Sequence, residues 1–255
     1  VFDAELQRRR KLPQPLSEEL YVSHGIVLHK SRPITANSQR EKHKYPSTKK
    51  AKEKLYGDTL RLRPVQAKMM NSVYNNYTHD EPKNMIVEAG TGVGKTLGYL
   101  FPLSYVAYPD KKIVVSTATN ILQQQIIDTS IAQLNKVLPF KMNSVIIKGN
   151  AHYIDIARFV HSLSVIEDSK LVQLLKAKIL VWLLSTQSGD LDELNLNSQQ
   201  SPYFTEIRHQ GIRSLNPANA FYHDDFLVRR EKRLHQADII ITNHAYLVAH
   251  AQELG

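Results

Sequence analysis

Val87-Glu88-Ala89-Gly90-Thr91-Gly92-Val93-Gly94-Lys95-Thr96 decides the architecture of this 255-residue chain. Before it, Met85, Ile86 and Val87 form a short apolar run that predicts a strand over residues 84–88. After it, residues 95–105 carry helical spacing in spite of Pro102. Between strand and helix, Gly90, Gly92 and Gly94 let successive backbone N–H groups turn inward around a phosphate without side-chain clashes, and the helix aims its positive N-terminus at the same anion. Lys95 adds a point charge for the β- and γ-phosphates, and Thr96 supplies a hydroxyl ligand for the Mg²⁺ that a nucleotide carries. Ala89, Thr91 and Val93 complete this phosphate-binding loop.

Outward from the loop the strand–helix alternation continues. Ile113, Val114 and Val115 predict a strand over residues 112–116, and a helix over 120–134 follows from Ile121, Leu122, Ile126, Ile127, Ile131 and Leu134. Val145, Ile146 and Ile147 predict a strand over 143–148, and Ile239, Ile240 and Ile241 one over 238–242. Such β-branched runs, apolar on both faces, are what a buried parallel sheet requires. Residues 150–235 interrupt the alternation with helical patterns, notably 171–184, joined by polar stretches at 187–200 and 216–219. The expected fold class is α/β, with a mostly helical insertion whose support is a stripe of Leu171, Leu174, Leu175, Ile179, Leu180, Trp182 and Leu183.

Composition removes whole classes of function. No apolar run approaches the roughly 20 residues of a membrane-spanning helix. The chain has no cysteine, which excludes disulfides, a thiolate zinc site, a cysteine nucleophile and a cysteine-ligated iron–sulfur cluster. A reducing, cytoplasmic setting is expected, and the first ten residues lack the pattern of a secretory signal. The histidines show no metal-ligand spacing, and Asp224-Asp225 reads as a helix start. Of the formal charge of +9, residues 1–63 hold 15 Lys and Arg against 7 Asp and Glu. Lys42, Lys44, Lys49, Lys50, Lys52 and Lys54 lie in a stretch without apolar periodicity. Such a segment attracts a polyanion such as nucleic acid by counterion release, or serves equally well as a solvated connector.

Taken in order, Arg63-Pro64-Val65-Gln66, the phosphate loop, Ser116-Thr117-Ala118-Thr119, Gln123 and Gln124, Lys148-Gly149-Asn150, Gly189-Asp190 and Ala237-Asp238-Ile239-Ile240-Ile241-Thr242-Asn243-His244 resemble the first motor domain of the bacterial DinG-type helicases, relatives of XPD in superfamily two. The likeness is closest to the cysteine-free branch, in which a DnaQ-like exonuclease domain precedes the helicase part. It implies a RecA-like P-loop domain, ATP with Mg²⁺, and single-stranded DNA as partner. Arg63 and Gln66 would then contact the nucleotide, the Gln66 amide being able to donate to adenine N7 and accept from its N6 amino group. Ser116, Thr117 and Thr119 would touch the DNA backbone, with helix capping as an equally good role, and Arg229 and Arg230 would line the DNA path from the insertion.

Two departures accompany the likeness. Where cluster-bearing relatives place a first cysteine, Tyr153-Ile154-Asp155 offers an aspartate. An Asp–Glu box following a strand is missing, since Asp192-Glu193 lies in a polar loop. The expected organisation is a basic linker at 1–57, the first part of the motor domain at 58–149, the cluster-free insertion at 150–235 and the return of the motor domain at 236–255, ending before the box. The expected function is the ATP-binding part of a DNA helicase or translocase fused to an exonuclease, monomeric, with the fragment itself inactive. The alternative is a nucleotide- and DNA-binding module that serves an attached 3'–5' exonuclease without unwinding.

Overall fold

The structure, a computed structural model, describes residues 18–31, 41–81, 83–165, 169–195, 202–211 and 217–254. It divides into two units, one combining Val1–Pro33 with Gly149–Lys232 and the other Ile34–Lys148 with Arg233–Gly255. Among the described residues no helix is long and apolar enough to cross a membrane.

The first unit corrects the expectation of a linker at 1–57, of which residues 1–17 and 32–40 lie outside the described residues. Leu20–Ser23 (β1) and Ile26–His29 (β2) form an antiparallel hairpin with Leu20 opposite His29 and Ser23 opposite Ile26. His24 and Gly25 at its tip both have positive φ, 47° and 81°, the twist that a two-residue turn needs. A lone hairpin is marginal in water. This one is held because all of β2 is buried, Ile26 and Leu28 sharing a core with Ile154, Phe159, Leu175, Ile179, Phe204 and Phe226. The helix Lys170–Trp182 delivers Leu175, Ile179 and Leu180 to that core, with Leu183 just past its end. Leu171 and Leu174, each 56% exposed, fall outside the buried arc of the helix and leave the expected stripe, and Trp182 is only half-buried at its edge.

In the second unit, Ile113–Thr117 (β3), Ser144–Ile146 (β4) and Ile239–Asn243 (β5) form a parallel sheet in the order β3-β5-β4. Ile113 pairs with Ile239 and Thr117 with Asn243, while Ser144 also faces Ile239. The apolar runs thus become strands where the sequence predicts them, except one. Residues 84–88 adopt no strand, and Met85, Ile86 and Val87 are exposed, Ile86 at 99%. A strand exists only through its ladder of hydrogen bonds, and none of the described strands adjoins this run.

Helices Pro64–Thr78 and Lys95–Ser104 pack so closely that a Cβ on Gly98 would come within 2.8 Å of the Met69 sulfur. Asn120–Gln125 continues through a π-helical turn, Ile126–Ile131, into Ala132–Val137. The core gathers Met70, Leu100, Phe101, Leu134, Ile239 and Ile241. The lysine-rich stretch is also folded in part. Thr48 caps the helix Lys49–Tyr56, Tyr56 enters the core, and Lys52 is fully buried. Its ammonium donates to the Pro46 and Ser47 carbonyls and to Asn71 Oδ1, so it is not a solvated charge.

Candidate functional site

The phosphate loop lies on the surface of the second unit, at the start of the helix Lys95–Ser104. Gly92 and Gly94 have φ of 74° and 83°, in the left-handed region that side chains disfavour. A Cβ on Gly94 would collide with the Gln66 amide, so a larger residue there would have to push that side chain aside as well as bear the strained φ. Lys95 Nζ donates to the carbonyls of Ala89 at 2.9 Å and Gly90 at 3.4 Å, which hold the ammonium against the loop. Thr96 is hydrogen-bonded to Tyr99, one turn on; burial raises the Tyr99 phenol above its usual range, and the contact with Thr96 partly offsets this.

Gln66 is 3% exposed, on the face of Pro64–Thr78 that also buries Ala67, Met70 and Val73. Val65, next to it in sequence, points outward from the same helix. The Gln66 amide donates to the Gly94 carbonyl at 2.9 Å, and its Oε1 is buried without a partner among the described residues. A buried acceptor without a partner is costly, and a donor on a bound molecule would relieve it. Arg63 is exposed, its guanidinium 3.8 Å from where a Gly92 Cβ would stand. Glycine nest, lysine, hydroxyl and buried amide are together the kind of donor and acceptor set that a nucleotide with its Mg²⁺ would need.

The carboxyl ends of β3 and β5 form a second cluster in the same unit. Parallel register sets Ser116 beside Thr242 and Thr117 beside Asn243. Ser116 Oγ lies 2.7 Å from His244 Nδ1, and Asn243 Nδ2 donates to Asn120 Oδ1 at 3.2 Å. Thr119 Oγ1 accepts from the Leu122 amide and caps Asn120–Gln125, while Thr117 donates to the Thr119 carbonyl. Thr119 is thus a cap first, and His244 is a neighbour of Ser116 that only strand pairing reveals.

Arg229 and Arg230 do not line a surface. Arg229 is 6% exposed, donates to the His29 carbonyl at 2.9 Å and to the Tyr21 hydroxyl, and lies over the Phe226 ring. Arg230, 8% exposed, bonds Glu231 and Asn150 and covers the Tyr153 ring. The sequence signal of a basic helix face is answered here by burial and a carbonyl-tying role within the first unit. Asp155 caps the helix Ile156–Ser162 and sits 3.5 Å from Arg158. Asp225 caps the next residues of its chain through Leu227 N and receives His209 Nε2 at 3.1 Å, while His209 Nδ1 accepts from Gly211 N. Glu193 accepts from Trp182, Thr186 and Ser188, so the Asp192-Glu193 pair is engaged in loop structure. His152, Asp190 and Asp192 bring one ligand atom each within 4.8 Å of one another, a grouping invisible in sequence spacing; His152 and Asp192 already close on each other at 3.0 Å.

Comparison with known proteins gives two findings. The pattern of the DEAD/DEAH box helicases matches residues 63–196, a span that includes the phosphate loop. The 3'-5' exonuclease DinG of Staphylococcus aureus strain USA300 is 34% identical over 190 residues, and those of strains NCTC 8325 and COL match equally. The match covers 74% of this chain and 20% of the relative's length.

Proposed function

Because the chain belongs to the DEAD/DEAH box helicase family, we propose that it is the ATP-binding part of a motor that moves along single-stranded DNA in a helicase–exonuclease fusion. Its parallel sheet with flanking helices is the α/β, RecA-like fold of that family. The chain spans only 20% of the length of the curated relatives it matches, so hydrolysis and translocation belong to the whole protein.

One observation carries the nucleotide assignment: Gln66 is buried against Gly94 with an unpartnered Oε1, beside a loop whose glycines hold positive φ. Loop amides would bind the β-phosphate, Lys95 would exchange its carbonyl contacts for the β- and γ-phosphates, and Arg63 would approach from above Gly92. Thr96 would hold Mg²⁺, which neutralises charge developing on the transferred phosphoryl group. Gln66 Oε1 would accept from the adenine 6-amino group, where guanine has a carbonyl. With Asp192 and Glu193 engaged elsewhere, residues 1–255 alone are proposed to be inactive in hydrolysis. Ser116 and Thr117 are proposed to meet the DNA backbone, with His244 holding Ser116 in place.

Calorimetry tests the nucleotide role: ATP should bind the wild type, and Lys95→Ala should abolish the heat. Gln66→Ala should narrow the preference for ATP over GTP. Equal heat from wild type and Lys95→Ala would end the phosphate-loop assignment. A second reading, a helicase-like module that serves an exonuclease without unwinding, is supported by the name of the curated relatives. ATP-dependent strand displacement by the full-length parent separates the two.

A further inference from the structure

A groove of about 770 Å³ opens in the second unit, remote from the phosphate loop. Its lining includes Lys42 and His43, Tyr74 and Thr78 from the end of Pro64–Thr78, Tyr105, and Tyr108 and Lys111 from the turn that enters β3. The loop lies at the first residue of Lys95–Ser104 and Tyr105 just past its last, so roughly 15 Å of helix separates the two sites. Ser116 and Thr117 are at the other end of β3 from this turn. The groove is therefore neither the nucleotide site nor the strand-end cluster.

Its chemistry is aromatic and basic. Tyr105 is buried, edge-on to Phe140 at 5.2 Å, and Tyr74 stacks on Tyr45 at 3.9 Å, which makes a rigid floor; His43 stacks on Phe140 at 5.2 Å. Tyr108 is fixed by the backbone pair it forms with Lys111, whose two hydrogen bonds measure 3.0 and 2.9 Å. Lys42 and Lys111 are exposed in the lining, against one carboxylate, Asp110. Aromatic faces between lysines match unpaired bases joined by phosphates, because every base has a π-face and every linkage a negative charge.

We propose that this groove is a second single-strand site, holding one or two bases of DNA against Tyr108 and Tyr74 with their phosphates on Lys42 and Lys111. The choice of DNA rests on the motor function proposed above; the location does not. The site is independent of ATP and gives the basic N-terminal stretch a specific contact in place of diffuse attraction.

The test is anisotropy of a labelled oligothymidylate of eight nucleotides with this chain, together with photo-crosslinking of the same oligonucleotide carrying 5-iododeoxyuridine. Tyr108→Ala should weaken binding by about 5- to 150-fold, the range of one lost base stack, while Tyr108→Phe should bind as wild type. Lys42→Gln with Lys111→Gln should flatten the slope of log affinity against log salt by about 1.4, at roughly 0.7 per contact. Crosslinks should map to Tyr74, Tyr105 or Tyr108. Binding that survives all groove variants, with crosslinks at Thr117 or Thr119, overturns the groove and keeps the motor. Absence of oligonucleotide binding by the wild type overturns both. Poly-glutamate competing equally well per charge overturns the stacking, and with it the proposal.

Discussion

The phosphate loop and the helical unit use the same kinds of residue for opposite ends. In the loop, Lys95 and Arg63 are exposed: Lys95 is held by two loop carbonyls, and the Arg63 guanidinium lies beside Gly92. In the helical unit, Arg229, Lys176 and the His209–Asp225 pair are buried and engaged by carbonyls, a phenol and each other. Residue type alone does not separate ligand chemistry from scaffolding; burial with satisfied donors does. An exposed cation can trade partners, whereas a buried one whose donors are all met resists exchange.

The contrast is most exposed to failure at Asp225. Asp225→Ala removes both the partner of buried His209 and a helix cap, and should destabilise the protein by about 3–5 kcal/mol in urea titrations while leaving ATP affinity of the surviving folded fraction intact. Loss of nucleotide binding without loss of stability would reverse the assignment. Gly94→Ala should destabilise less and strike the nucleotide site. The strained φ and the clash with Gln66 cost about 1–3 kcal/mol, and ATP binding should vanish by calorimetry.

Lysine burial gives a pH signature. Burial lowers the Lys52 pKa to about 8, so between pH 8 and 10.5 the folded chain binds fewer protons there than the unfolded chain, and stability should rise with pH across that window. Burial pushes the Tyr45 and Tyr56 phenols well above their usual range, so above pH 10 the folded chain keeps protons the unfolded one loses, and stability should fall. Urea midpoints from pH 7 to 11 should pass through a maximum, and Lys52→Met should remove the rising limb. A smaller effect belongs to Thr119→Ala, about 1 kcal/mol from the lost cap, read as a shift in thermal midpoint. Smallest is Leu174→Ala, within about 0.5 kcal/mol, because the side chain is 56% exposed.

Much of the second unit was legible because its signals are local. Ile113–Val115, Val145–Ile147 and Ile239–Ile241 are β-branched runs, and the loop glycines carry their geometry in their spacing. The strand expected at residues 84–88 failed because pairing is not local: the same apolar run needs a neighbour that its own sequence does not contain. The hairpin Leu20–His29 was hidden for the same reason, since its burial comes from residues more than 120 positions on. His244 beside Ser116, and Asp192 beside His152, likewise emerge only from register and loop closure.

The position of β5 in the middle of its sheet reaches into how the chain is made. β3 and β4 do not touch, so no ladder exists until residues 239–243 leave the ribosome. The hairpin Leu20–His29 waits comparably for Phe226 and Arg229. At about 5–20 residues per second, some 200 residues of synthesis separate the hairpin from its partners, a delay of roughly 10–40 s. Through that interval both halves-in-waiting expose strand edges and apolar faces together, so nascent chains of this protein should be long-lived clients of ribosome-associated chaperones.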